Sequence, residues 1–118
     1  MSDTYKYSLE IIFEHILVCE KRFSEIHTEK DFIDTDYGNT LLDAIVARLQ
    51  AIGENIKRIL KHNTTLPEKY PSIEWDKIIL FRDFISHHYE KLDYEIVFEI
   101  CKNDLPKLKK VIEEELNS

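Results

Sequence analysis

Apolar side chains recur at three- and four-residue steps through most of this 118-residue chain, the period of amphipathic helices. A first helix is predicted from about Asp3 to Ile26, and a second from about Tyr37 to Lys61. The polar stretch between them offers Asp34, Thr35 or Asp36 as the residue that caps the second helix. No segment shows the alternating pattern of a β-strand.

The second half of the chain is predicted to add further helices. Residues 62–72 contain Pro67 and Pro71 and are typical of a loop. A third helix begins near Ile73 to Trp75 and continues to about Leu92. Asp93 is a candidate cap for a fourth helix, and the residues Asn103-Asp104-Leu105-Pro106 restart a last one.

These elements predict an all-α fold, an up-and-down bundle of four to five helices dominated by two long antiparallel helices. Residues 1–118 are expected to form one domain. The composition agrees with this, because two glycines and three prolines are few for a chain with many turns. A chain of this length can bury roughly two-thirds of its unfolded surface, which allows a true core.

The net charge of −7 argues against a protein that grips duplex DNA or long RNA by its general surface. It leaves room for a small local RNA site, and it suits a partner with a basic face. Met1-Ser2-Asp3-Thr4 lacks the features of a signal peptide. Cys19 and Cys101 match no metal-binding spacing and are expected in the core as reduced thiols. We therefore expect a cytoplasmic protein that has no membrane partner.

Chemically active side chains are concentrated at positions 82–89, as Arg82, Asp83, His87, His88 and Tyr89. RNA is cleaved without a metal when its own 2′-hydroxyl attacks the adjacent phosphate. That reaction needs a proton-transfer group with a pKa near 7, which histidine supplies. It also needs a fixed cation for the crowded phosphate oxygens, and the planar guanidinium of arginine matches them.

The spacing sets a condition on such a site. Arg82 and Tyr89 share a helix face, whereas His87 lies about 140° around the helix from Arg82. Two copies of the chain across a two-fold axis would bring both groups to one cleft, which predicts a homodimer. Asp83 is placed to orient a histidine or an arginine. The alternative is that Arg82 and Asp83 are surface charges and the histidines are half-buried polar residues.

Other chemistry has weaker support in the sequence. There is no glycine-rich phosphate loop, no serine in a nucleophile-elbow setting and no His-Glu-x-x-His pair. His15 is a weak candidate ligand, and His27 and His62 lie in polar surroundings. We therefore expect no metal and no cofactor.

The residues Arg82-x-x-x-x-His87-x-Tyr89 resemble the Arg-x4-His-x-Tyr signature of HepT-like toxins in the HEPN superfamily. Three further segments resemble the same family. They are Ala51-Ile52-Gly53-Glu54, Tyr70-Pro71-Ser72-Ile73-Glu74-Trp75, and Asp104-Leu105-Pro106-x-Leu108. The resemblance extends from about Leu41 to Leu116, and the ordered set is far more specific than Arg-x4-His alone.

The resemblance implies a helical antiparallel homodimer and a metal-independent endoribonuclease, the toxin of a type VII-like toxin–antitoxin pair. Arg82 and His87 would be the catalytic pair, and Asp83 occupies the polar position after the arginine. Tyr89 corresponds to the tyrosine that the cognate antitoxin, a minimal nucleotidyltransferase called MntA, modifies with AMP. The added charge and bulk beside Arg82 would repel RNA. His88 departs from the family, which commonly has an acidic residue there.

A second hypothesis is a catalytically silent HEPN helical subunit that docks a minimal nucleotidyltransferase. The acidic body of the chain motivates it. A purely structural helical bundle is a third reading, which leaves the residues 82–89 unexplained.

Overall fold

The structure is a computed structural model that describes residues 2–88 and 94–118, and for residues 82–88 it describes the helical backbone alone. The described part is almost entirely helical and contains no strand, which confirms the all-α bundle. Its α-helices are α1 (Asp3–Phe23), α2 (Asp36–His62), α3 (Leu66–Lys69), α4 (Trp75–His88), α5 (Tyr94–Glu99) and α6 (Leu105–Leu116). A 3₁₀ turn spans Glu29–Phe32, and a π-helical turn spans Ile100–Asp104.

The two long helices α1 and α2 pack along each other and form the centre of the bundle. Each buries one apolar stripe, and the stripe residues with no exposed surface are Leu9, Ile12, Ile16 and Cys19 on α1 and Ile45, Ile52, Ile56 and Ile59 on α2. Full burial of such a side chain contributes about 1.5–3 kcal/mol. Among the described residues, no helix is both long and apolar enough to cross a membrane.

The turn between these helices differs in detail from the sequence prediction. The helix α1 ends at Phe23, three residues before the predicted end. The next residues form a turn, in which the Ile26 N–H donates to the Phe23 carbonyl, and the 3₁₀ segment follows at Glu29. Of the three cap candidates, Thr35 is the cap: its Oγ1 accepts the Gly38 N–H at 2.9 Å. A Cβ atom at Gly38 would overlap the Asp31 carbonyl, so the start of α2 abuts the 3₁₀ turn.

The predicted loop at residues 62–72 contains one short helix, α3, in which Pro67 occupies the first turn. Proline is tolerated there because the N–H that it lacks has no partner in a first turn. The helix α4 then begins at Trp75, as predicted, and packs against α2. The predicted continuation of this helix to Leu92, and the cap Asp93, lie outside the described residues.

The last helix, α6, begins at Leu105 with Pro106 in its first turn, as predicted, but no break precedes it. The helices α5 and α6 are joined without a break by the π-helical turn. The Leu105 N–H donates to the Ile100 carbonyl five residues earlier, so the helix widens just before Pro106 instead of ending. Pro106 has no N–H to donate. At the second position of α6, after the widened turn, no hydrogen bond of the helix requires one.

Candidate functional site

The helix α4 carries the backbone of Arg82, Asp83 and His87, and His88 is its last residue. The predicted modification site, Tyr89, lies outside the described residues. The structure thus places the predicted catalytic pair on one helix of 14 residues. It does not describe the side chains of that pair, so their roles stay predictions.

Helical register nevertheless separates the two catalytic positions. The core-facing side of α4 is marked by Trp75, Ile78 and Phe81, which are all buried. Position 82 lies about 20° around the helix from Trp75. Position 87 lies about 20° from Leu80, whose side chain is 63% exposed. The two positions therefore lie on different sides of α4, position 82 on the side of Trp75 and position 87 on the side of Leu80.

Polar contacts fix the start of α4. The Trp75 indole N–H donates to the Tyr70 carbonyl at 3.1 Å, and the Ile73 N–H donates to the same oxygen at 3.3 Å. Two residues after Trp75, Lys77 Nζ lies 2.9 Å from Asp104 Oδ2 in the π-helical turn. This contact is an ion pair, not an aligned hydrogen bond. The Asp104 carboxylate raises the pKa of Lys77, which keeps the ion pair charged.

A buried carboxylate holds the segment that precedes α4. Glu115 on α6 is only 5% exposed. Its Oε1 accepts the Tyr5 hydroxyl at 2.8 Å, and its Oε2 accepts the Tyr70 hydroxyl at 2.9 Å and Lys69 Nζ at 2.8 Å. Asn63, the C-cap of α2, donates to the Tyr5 oxygen at 3.3 Å. Three segments of the chain thus meet at Glu115, and the end of α2 joins them through Tyr5.

The ionisation of this cluster follows from its contacts. Burial alone would raise the pKa of Glu115, but the hydrogen bonds from Lys69, Tyr5 and Tyr70 and the charge of Lys69 bring it below the usual value. Burial and the Glu115 carboxylate raise the pKa of Tyr70 to about 12. The cluster is therefore a charged Glu115–Lys69 pair with neutral tyrosines at neutral pH.

The remaining candidates from the sequence are engaged or inert. Arg48 Nη1 lies 3.1 Å from His15 Nδ1, so that nitrogen accepts a hydrogen bond, and burial and Arg48 lower the pKa of His15. His27 and His62 are exposed, as expected. Within the described ranges, no group of three or more His, Cys, Asp or Glu residues is arranged to hold a metal ion.

Both cysteines are buried free thiols, which confirms their expected place in the core. They line a cleft of about 280 Å³ between the end of α1 and the π-helical turn. Burial raises the pKa of Cys19 to about 12 and raises that of Cys101 as well. Neither thiol is thus an activated nucleophile at neutral pH.

The contacts of Glu115 and of Lys77 were not predicted from the sequence. Glu115 follows two other glutamates, which makes it look like part of a solvated charge run. A signal was present, because Glu115 continues the apolar stripe of Leu105, Leu108 and Ile112 at helical spacing. A charged residue in phase with a buried stripe needs a partner in the protein interior.

The sequence profile of the ribonuclease HepT-like family matches residues 12–115, which is most of the chain. A protein of Thermococcus cleftensis named "Probable ribonuclease HepT" is 31% identical over 111 residues, which cover 92% of this chain and 93% of that protein. A protein of Caldanaerobacter subterraneus subsp. tengcongensis, provisionally named an RNase, is 34% identical over 105 residues, covering 86% of this chain and 88% of its own.

A protein of Methanocaldococcus jannaschii is 33% identical over 112 residues, and its name combines a gamma-glutamylcyclotransferase with a provisional RNase. The match covers 95% of this chain but 47% of that protein, so the chain spans about half the length of this relative. No solved structure gives a significant match. The chain belongs to the HepT-like ribonuclease family of the HEPN superfamily.

Proposed function

We propose that the chain is a metal-independent endoribonuclease and the toxin of a type VII-like toxin–antitoxin pair. The observation that carries the proposal is the presence of Arg82 and His87 on one helix of a chain that belongs to a ribonuclease family. The names of the relatives point to the same activity, since each contains RNase or ribonuclease.

The proposed reaction uses the RNA's own 2′-hydroxyl as the nucleophile. His87 takes the proton of this hydroxyl as its oxygen bonds to the adjacent phosphorus. The bond to the 5′-oxygen breaks, and this oxygen takes up a proton from water. The products are a 2′,3′-cyclic phosphate and a free 5′-hydroxyl. Arg82 donates to the phosphate oxygens where negative charge concentrates. Asp83 supports this pair by orienting one of its members.

The proposed site is built by two copies of the chain. The register of α4 supports this, because positions 82 and 87 diverge by about 140° within one copy. The side of α4 that carries position 87 also carries Leu80, a large apolar side chain left 63% exposed. A second copy laid over this side would bury Leu80, and to that copy we assign the Arg82 that acts with His87 of the first.

Substrate contact outside the cleavage site is assigned to the C-terminal end of α2. Residues 55–67 contain no acid and form the longest acid-free stretch of a chain with 23 acidic residues. The exposed cations of this stretch are Lys57, Arg58 and Lys61, and no ion pair engages them in the described part of the chain. The helix α2 that carries this basic patch packs against α4. It offers the RNA backbone a local grip that the overall charge of −7 does not.

Control of the proposed activity is assigned to Tyr89. A cognate nucleotidyltransferase would transfer AMP from ATP, with the tyrosine oxygen bonding to the α-phosphorus and pyrophosphate leaving. The attached phosphate adds negative charge seven positions from Arg82, a spacing for which the sequence predicts a shared helix face, and competes with RNA for the arginine.

A catalytically silent helical subunit that docks a minimal nucleotidyltransferase is the second candidate. The net charge of −7 favours it, because an acidic surface binds RNA poorly and suits a basic protein partner. The two candidates differ in one measurable property, the cleavage of RNA by the chain itself.

The test is incubation of purified, chelator-treated protein with cellular RNA. We expect fragments that end in a 2′,3′-cyclic phosphate. Arg82→Ala and His87→Ala should each lower the cleavage rate at least ~100-fold, because each removes one catalytic function. His88→Ala is the matched control and should retain most of the activity. Intact RNA with the wild-type protein, or full activity in both catalytic variants, contradicts the proposal.

A further inference from the structure

The helix that carries the candidate catalytic residues is attached to the rest of the protein at its start by an unusual polar contact. The Tyr70 carbonyl accepts the Trp75 indole N–H, and the Tyr70 hydroxyl donates to Glu115 Oε2. Tyr70 therefore links the first residue of α4 to a buried carboxylate on α6, 45 residues away in sequence from Tyr70.

We propose that Glu115 is a positioning residue that fixes the start of α4 through Tyr70 and so sets the place of Arg82 and His87. This inference rests on the proposed ribonuclease function for its catalytic consequence, but not for its structural one. Glu115 itself lies at the other end of a hydrogen-bonded chain and is not a catalytic residue.

Burial fixes the position of the Glu115 carboxylate that accepts the Tyr70 hydroxyl. Glu115 is 5% exposed and has both oxygens occupied, so its side chain has one place in which its charge is satisfied. The Tyr70 hydroxyl is thereby held at 2.9 Å from a fixed acceptor. The Tyr70 carbonyl in turn receives two donors, Ile73 N–H at 3.3 Å and Trp75 Nε1 at 3.1 Å. The turn from Tyr70 to Trp75 is therefore tied at both ends.

Because α4 is long, a small tilt of its axis at Trp75 becomes a large displacement at His87. His87 lies twelve residues beyond Trp75, or about 18 Å along the helix axis. A tilt of about 5° at the start would move His87 by ~1.5 Å, and a misplacement of ~1 Å is enough to slow an enzyme ~100-fold. The apolar contacts of Ile78 and Phe81 hold α4 against the core, and the contacts of Tyr70 add polar ones at its first residue.

The chain contains a matched pair of tyrosines for the test. Tyr5 and Tyr70 each donate one hydroxyl to Glu115, at 2.8 and 2.9 Å, but only Tyr70 belongs to the turn that begins α4. Tyr5→Phe also removes the acceptor of Asn63, so it is the more disruptive change by number of hydrogen bonds. A purely structural role for Glu115 predicts that Tyr5→Phe has at least as large an effect as Tyr70→Phe.

The first readout is steady-state cleavage of RNA at a temperature where all variants are folded. We expect Tyr70→Phe to lower kcat about 10-fold relative to Tyr5→Phe, with KM changed by less than about 2-fold. Glu115→Gln on the Tyr70→Phe background should lower kcat little further, because both changes interrupt the same chain of contacts. Equal kcat values for the two tyrosine variants, or additive effects in the double variant, overturn the inference.

The second readout needs no ribonuclease activity. Trp75 is the only tryptophan, so the intrinsic fluorescence reports directly on the indole that Tyr70 holds. Tyr70→Phe should change the emission of Trp75 and speed hydrogen exchange of the α4 amides, whereas Tyr5→Phe should leave both near wild type. If the wild type cleaves no RNA, the proposed function fails. Unchanged Trp75 emission and α4 exchange in Tyr70→Phe then still decide against the role of Glu115.

Discussion

Glu115 shows how one residue can hold a charge inside a small helical protein. A buried carboxylate is costly unless donors replace the water that it loses. Lys69 supplies the opposite charge, and the hydroxyls of Tyr5 and Tyr70 occupy the remaining acceptor positions. The net effect is a Glu115 pKa below its usual value of 4.5.

This arrangement predicts an acid-sensitive contribution to stability. Because the pKa of Glu115 is lower in the folded than in the unfolded protein, its contribution is complete above pH 4.5 and is lost as the pH falls through the folded value. Glu115→Gln should lower the free energy of unfolding at pH 7 by about 1–3 kcal/mol, and the difference from wild type should shrink below pH 4.5. Urea unfolding at several pH values measures it. Glu113→Gln, an exposed neighbour, is the control, and a difference that does not depend on pH contradicts the prediction.

At the residue scale, the sequence singles out catalytic candidates but not the contacts that hold the start of their helix. Arg82 and His87 stand out because few residue types can perform phosphate binding and proton transfer, and their spacing is visible without a structure. Glu115 acts through partners more than 40 residues away, and no local pattern connects it to them. The ion pair between Lys77 and Asp104 was missed for the same reason.

The helices are the elements that the sequence predicted most closely. The period of the apolar residues located α1 and α2 because each buries one continuous stripe. The errors fall where hydrogen bonding alone decides the boundary. The helix α1 ends at Phe23 through turn contacts, and the π-helical turn carries the chain past residues that usually break a helix. The predicted end of the third helix near Leu92 lies outside the described residues and stays a prediction.

The basic patch at the end of α2 makes a prediction at this scale. Lys57→Ala/Lys61→Ala should weaken RNA binding about 10-fold at moderate salt and reduce the salt dependence of binding by about one to two phosphate contacts. The control is Lys107→Ala/Lys110→Ala, which removes the same charge from two exposed residues of α6. Fluorescence anisotropy with a labelled RNA, over a range of salt concentrations, measures both. Equal losses in the two variants would show that only total charge matters.

In the whole molecule, the two candidate catalytic positions, 82 and 87, lie on different sides of α4. The core of one chain accounts for the side of α4 with Trp75, Ile78 and Phe81, which are buried. It leaves Leu80 exposed on the side of position 87. A homodimer resolves both facts in the proposed account, because the second copy covers Leu80 and completes the site.

Subunit mixing tests this central claim most directly. Arg82→Ala and His87→Ala dimers are each expected to be inactive. In a heterodimer of the two, one of the two shared sites keeps an arginine from one copy and a histidine from the other. Random exchange should therefore restore about a quarter of the wild-type cleavage rate, since half of the dimers are mixed and each has one complete site.

The matched control mixes Arg82→Ala with the double variant Arg82→Ala/His87→Ala, which can form no complete site and should stay inactive. Cleavage of RNA to 2′,3′-cyclic phosphate ends is measured before and after exchange, with native mass spectrometry to verify that mixed dimers form. The account predicts activity of about a quarter of wild type in the first mixture and none above background in the control. Mixed dimers that cleave no faster than their inactive parents would contradict it.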